Sequence, residues 1–290
     1  VAGYRVLDIE TVVDDRHWDR PKSRWSERPV DTGLHRRGGG ALMTTTWEEE
    51  EPFPPPQAHR AVAMAWVDLS GDDNQWYVFE GQTVFSNWGY DGEADSLEKE
   101  MLEAFGREQG GDEACLVTWN GRTFDLPVVN LRSFLHGVPC EWYYKERDVR
   151  YRYSEAGHCD LMDFFSDYGA GRSMKLGDVA KLRGLPGKIG DVSGKGVGEI
   201  YNAFHPVFAK VAKKAGVDLL NSLPFKTLDA AKAAVGRYCL LDAMQTAVLF
   251  AESRVHKGMI DRFYYDKVVA PSFTDPLAEA VAGVKGKKVA

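Results

Sequence analysis

Four acidic side chains and one tyrosine, spread over more than two hundred positions, have the types and local spacing to build a metal site. Asp8 and Glu10 lie in YRVLDIETV, Asp125 in TWNGRTFDLPVV, and Tyr238 and Asp242 in RYCLLDAMQT. In a strand, residues i and i+2 share a face, so the DIE tripeptide aims both carboxylates the same way. In a helix, residues i and i+4 stack, so Tyr238 and Asp242 project together. Several carboxylates tolerate one small space only when cations neutralise them, and the economical solution is a pair of divalent metals. Each segment alone is a weak signal. A DxE at a strand end is often a surface pair or cap, and YxxxD on a helix arises by chance. In NGRTFDLP the Asn-Gly pair makes a turn, and Asp125 then caps or solvates the next helix. Their joint occurrence, in order and on suitable element types, is what points to a metal centre.

Together these segments resemble the three motifs of the DEDD exonuclease superfamily, in the tyrosine-bearing (DEDDy) subgroup whose third motif is a YxxxD pair. They are most similar to the predicted 3′–5′ exonucleases related to the proofreading domain of B-family DNA polymerases. WNGRTFDLPVV, HCDLMDFFSDYGA at 158–170 and LPGKIG at 185–190 carry that closer likeness. It covers roughly residues 3–255, and it departs from a compact version in a long stretch at 14–60 and an extension at 201–225.

The resemblance implies an α/β fold with a ribonuclease-H-like mixed central sheet flanked by helices. We expect one domain over 1–270, with an inserted basic and aromatic loop at about 14–60 and a flexible tail at 271–290. It also implies metal-dependent hydrolysis of single-stranded nucleic acid from the 3′ end to 5′-mononucleotides, with DNA favoured, using two Mg²⁺ or Mn²⁺ ions. By resemblance Asp8 bridges both metals, Glu10 and Asp242 hold the metal that activates water, and Asp125 supports the second. Tyr238 orients the nucleophilic water, because a phenol of ordinary pKa about 10 is a poor base at neutral pH. The chain would act as a free-standing nuclease or in a complex with DNA repair or replication partners. The alternatives are an RNA-trimming 3′–5′ exoribonuclease with the same site, or a catalytically silent nucleic-acid-binding protein of this fold.

Substrate contacts are less determined. Asn120 and Phe124 read equally as nucleotide contacts or as a turn residue and a core aromatic. Asp160 reads as a helix cap, with His158 as an alternative proton donor or phosphate contact. Residues 16–37 hold seven Lys or Arg against three acids, a local charge of +4, with Trp18 and Trp25 interleaved. Cations with stacking rings suit a single strand, so Arg20, Arg24 and Arg28 are candidate substrate residues; a solvated loop is the competing reading. GDVSGKGV at 190–197 is not a P-loop, since its spacing is one residue short and Gly196 follows Lys195. Lys188 and Lys195 remain candidates for touching the substrate backbone.

The formal charge of −7 over 290 residues argues against coating nucleic acid by bulk attraction, although a carboxylate site itself contributes negative charge. The four cysteines, Cys115, Cys140, Cys159 and Cys239, have no zinc spacing and suit reduced thiols. No apolar run approaches bilayer length and no signal-peptide pattern opens the chain, so a cytoplasmic protein with no membrane contact is expected. Oligomeric state is not legible.

Apolar patterning predicts a strand over 3–9 and a hairpin from 61–69 and 75–79. It places helices at 95–106 (Asp95 as N-cap) and 124–135, and a strand at 114–119. Short helices follow at 160–168 and 174–183, loop over 184–198, and a long helix over 227–252. Gly236 inside that last helix costs about 1 kcal/mol relative to alanine.

Overall fold

The strand that carries Asp8 and Glu10, β1 (Tyr4–Val13), runs through the middle of a five-stranded mixed sheet. The computed structural model describes residues 3–17, 24–35, 41–50, 53–71, 75–112, 114–145, 148–190, 192–216, 218–221 and 223–285; of 24–35, 41–50, 112 and 283–285 it describes the backbone alone. On one side β1 pairs antiparallel with β4 (His59–Gly71), which pairs antiparallel with β5 (Trp76–Phe85). On the other side it pairs parallel with β6 (Cys115–Thr118), and β6 with β7 (His158–Asp160). The sheet order β5-β4-β1-β6-β7, flanked by helices, is the α/β, ribonuclease-H-like mixed arrangement.

Helices cover both faces because both faces of the central strands are apolar. One face packs on α1 (Gly92–Asp112) and α2 (Asp125–His136), through Leu7, Ile9, Trp66, Phe105 and Leu126. The other packs on the long helix α8 (Leu228–His256), through Val6, Val12, Val67, Val235 and Leu241. Between them run α3 (Glu141–Tyr144), α4 (Leu161–Phe165), α5 (Leu176–Leu182), α6 (Gly194–Phe204) and α7 (Pro206–Lys214). After α8 come α9 (Arg262–Tyr264), a short π-type turn and α10 (Ala270–Lys285).

Four expectations need correction, the first being the loop over 184–198, which ends where Ser193 caps α6 by accepting from the Gly196 amide. The stretch after the first motif is not irregular throughout: β2 (Arg24–His35) and β3 (Ala41–Glu50) form an antiparallel pair in a separate two-stranded sheet. Such a ribbon satisfies backbone groups without a core, so its polar composition hid it. The segment after 270 is not a frayed tail up to 285, because Phe273, Leu277, Ala280 and Val281 recur at helical spacing and set α10 against α8 and β5. Asp95 does not cap α1, which begins at Gly92; its carboxylate instead takes Arg16 and Arg60. All four cysteines are free, and no described helix is long and apolar enough to cross a membrane.

Gly236 has a reason that helix propensity does not show. A Cβ there would lie 2.7 Å from Ser86 Cβ and 3.1 Å from Val84 Cγ1, at the end of β5. The missing side chain lets α8 approach the sheet closely. Propensity alone would make Gly236→Ala stabilising by about 1 kcal/mol. The close packing reverses that sign, so the variant is expected to melt below wild type in a thermal unfolding scan.

Candidate metal centre

Strand alternation aims the first acidic pair. Val6, Asp8, Glu10 and Val12 face α8, whereas Leu7 and Ile9 point into the opposite core. Across from the carboxylates β4 offers Ala65 and Ala63, which leave room above the strand. The β1–β4 register shifts between Glu10 and Thr11, and such a bulge re-aims side chains beside it. On α8, Tyr238 and Asp242 lie one turn apart and face β1. The Cys239 thiol donates to the Asp8 carbonyl at 3.3 Å, fixing helix to strand beside the carboxylates. Carboxylate oxygens of Asp8, Glu10 and Asp242 then lie within 4.8 Å of one another.

Asp125 arrives from a third element. Asn120 turns the chain in the left-handed region (φ 65°), and Gly121 follows because a Cβ there would collide with the Thr118 side chain. The turn delivers Asp125 to the first position of α2, where Oδ1 accepts from the Ile9 amide at 3.2 Å. Asp125 is thus tied to the DxE strand but lies outside the group of three close carboxylates.

Charges dominate the site. Burial, then Asp242, Asp125 and Glu10, holds the Asp8 carboxyl well above its ordinary range. Burial and Asp242 do the same to Glu10, against the pull of Lys188. Burial raises Asp125 to about 7 and Asp242 to about 6, the latter opposed by Lys188 and by a hydrogen bond from the Tyr238 hydroxyl. Tyr238 is almost fully enclosed, and burial followed by Asp242, Glu10 and Asp8 raises its hydroxyl, which stays protonated.

The donor set fits hard divalent cations, which take carboxylate oxygens. Asp8 Oδ2 is buried with no hydrogen-bond partner among the described residues, as a ligand atom awaiting a cation would be. A second acidic group, Asp95, Glu98 and His136, is equally close-set, yet its chemistry is already met. Glu98 accepts from Arg132 and from His136 at 2.8 Å and from the Ala61 amide at 2.9 Å, while Asp95 takes Arg16 and Arg60. That group is a structural ion network joining β4, α1 and α2.

Other candidate residues have structural duties. Asp160 caps α4 and also accepts from the Asn120 and Arg122 amides at 2.9 Å, so it organises the turn that carries Asp125. His158 is fully buried, bonds Thr118 Oγ1 at 2.7 Å, and is lowered by burial to about 3, so it is neutral and shut away from solvent. Phe124 packs edge-on to His59 at 4.8 Å and against Phe53 at 5.7 Å. Arg20 lies outside the described residues; Arg24 and Arg28 sit on β2, opposite Glu50 and Thr46, with their side chains outside the description. Lys188, which the sequence suggested only as a backbone contact, has its ammonium 5.6 Å from the Tyr238 ring centroid and acts on Glu10 and Asp242. Only its place in LPGKIG hinted at this.

A family described as a predicted 3′–5′ exonuclease related to the exonuclease domain of PolB matches residues 51–222, more than half of the chain. That span contains Asp125; Asp8, Glu10, Tyr238 and Asp242 flank it. The solved family B DNA polymerase of the hyperthermophilic archaeon Pyrobaculum calidifontis aligns with a TM-score of 0.36 and 16% identity, over 80% of this chain and 33% of that one. The chain therefore spans about a third of that polymerase. No curated protein matches it significantly.

Crowding of unneutralised carboxylates has a measurable cost. A carboxyl raised to about 6 in the folded state favours folding at low pH, and that benefit is lost as pH rises through 6. In EDTA at pH 7.5, Asp242→Asn is therefore expected to melt above wild type by a few degrees, on the order of 1–3 kcal/mol, with the gap closing near pH 4. Thermal melts across pH check the sign.

Proposed function

The chain belongs to the family of predicted 3′–5′ exonucleases related to the exonuclease domain of PolB, and from that premise we propose that it is a metal-dependent 3′–5′ exonuclease. It acts on single-stranded nucleic acid, DNA in preference to RNA, and releases 5′-mononucleotides. The observation that carries this reading is the convergence of Asp8, Glu10 and Asp242 around an unpartnered Asp8 Oδ2 beside a protonated Tyr238.

Asp8, Glu10 and Asp242 are the residues that would hold a pair of Mg²⁺ or Mn²⁺ ions, with Asp125 supporting from the start of α2. Bound there, such ions supply a hydroxide-like nucleophile at neutral pH and neutralise charge on phosphoryl oxygens. The protein's own groups do the positioning. The Tyr238 hydroxyl keeps its proton and donates a hydrogen bond to Asp242, which leaves its oxygen lone pairs to accept from a water and orient it. The Lys188 ammonium offsets Glu10 and Asp242, and in this reading it also pairs with a substrate phosphate. Phe124 and the exposed Phe53 form a ring pair beside Asp125 on which a terminal base stacks, and the Asn120 turn holds that side of the site.

The test uses 5′-labelled single-stranded DNA and RNA of one sequence with Mg²⁺ or Mn²⁺. Expected is a ladder shortening from the 3′ end, faster on DNA and absent in Asp8→Ala. Tyr238→Phe should lower turnover roughly 10- to 100-fold with little change in KM, as lost positioning does. Faster trimming of RNA would move the substrate to RNA, and no shortening of either strand would overturn the exonuclease reading.

A further inference from the structure

Beyond Glu10, β1 leads into a second groove of about 460 Å³. Val12 and Val13 line one wall, so at a strand rise of ~3.3 Å per residue the groove begins about 7 Å from Glu10. Tyr201 of α6, His205 between the helices and Phe208 of α7 line the other. These rings form a ladder. Tyr90 lies 5.0 Å from Tyr201 and 4.8 Å from His205, and His205 lies 5.2 Å from Phe208, centroid to centroid. Phe208, 46% exposed, is its open end.

Both wall arginines are already engaged, and Asp15 and Asp91 add negative charge to the lining. Arg16 and Arg60 both hold Asp14 and Asp95, so little is left for a charged ligand inside. A Cβ at Gly92 or Gly198, both lining residues, would meet nothing within 4 Å, so the groove is open there. An open slot with ring walls and no spare cation suits a flat, uncharged aromatic ring and not a phosphate.

Helix α7 supplies what the groove lacks. None of its residues is buried, although a helix of nine residues needs packing to be stable. Residues 205–216 contain no acid, and Lys210, Lys213 and Lys214 have no ion-pair partner among the described residues. Val207 and Val211 stand 57% and 60% exposed beside them. An exposed ring flanked by uncompensated cations is the chemistry that grips a single strand, through its bases and its phosphates.

We propose that α6, α7 and the end of β1 form a strand-binding subsite for single-stranded nucleic acid, with one base in the groove against His205 and Phe208 and flanking phosphates on Lys210, Lys213 and Lys214. Only the statement that this strand is the substrate rests on the exonuclease reading. Arg20, Arg24 and Arg28 play no part in it.

The test is fluorescence anisotropy of a labelled 12-nucleotide strand in EDTA, where no cleavage competes. Lys210→Ala/Lys213→Ala/Lys214→Ala should weaken binding at least about tenfold and reduce the slope of log affinity against log salt by about 2, near 0.7 per phosphate contact. Phe208→Ala should weaken it about tenfold and abolish quenching of a 2-aminopurine base. Hydrolysis of bis(p-nitrophenyl) phosphate, too small to reach α7, should be unchanged in both variants wherever wild type shows it. Because α7 buries no side chain, the lysine substitutions leave the core intact. Wild-type affinity in the variants overturns the subsite and leaves the exonuclease standing. Weakened binding in variants of a wild type that never shortens a strand retains the subsite and removes the exonuclease. A wild type that binds phosphatidylserine vesicles but no oligonucleotide overturns the subsite in favour of a membrane surface.

Discussion

Repulsion among Asp8, Glu10 and Asp242 is the constraint around which this fold is arranged. Their oxygens lie within 4.8 Å of one another in a largely enclosed place, where burial and like charge both oppose ionisation. Groups that repel stay together only on elements that cannot yield. Here those elements are the middle strand of a five-stranded sheet and a helix of 29 residues packed across it. Ala63 and Ala65 opposite the carboxylates, the bulge beside Glu10 and the bare Gly236 all serve that close approach. The stability lost by crowding is the counterpart of a site ready for cations.

A second acidic group, the buried Asp14 and Glu98 with the half-buried Asp95, is treated differently. Asp14, Asp95 and Glu98 meet Arg16, Arg60, Arg132 and His136 in one network. The arginines hold Asp14 well below the ordinary carboxylate range despite its burial, and His136 and Arg132 lower Glu98. Removing one partner there would leave a buried charge uncompensated, which is strongly destabilising. Two acidic clusters of similar spacing thus have opposite electrostatics. Compensation by arginine marks the structural one, and the orphaned Asp8 oxygen marks the candidate metal site.

Much of this was legible in the chain because period-2 and period-4 spacing map directly onto strand and helix faces. Asp8 with Glu10 and Tyr238 with Asp242 needed only that geometry, and the central sheet followed from short apolar runs. What stayed hidden depended on distant contacts. The role of Gly236 requires Ser86 and Val84 to arrive from β5. The nearness of Lys188 to Tyr238 depends on a loop whose path no local pattern sets. Asp95 looked like a cap because local rules know nothing of Arg16, 79 residues away. The β2–β3 ribbon and α10 are hidden for a different reason, since a polar or small-residue composition gives only a weak apolar period.

The most direct measurement is Mn²⁺ binding followed by electron paramagnetic resonance at pH 7.5, on wild type and on Asp8→Asn. If the three carboxylates are held together for cations, wild type loses free Mn²⁺ signal in a saturable way, and Asp8→Asn does not. Equal binding by both proteins, or none by wild type, would contradict a metal centre on β1 and α8.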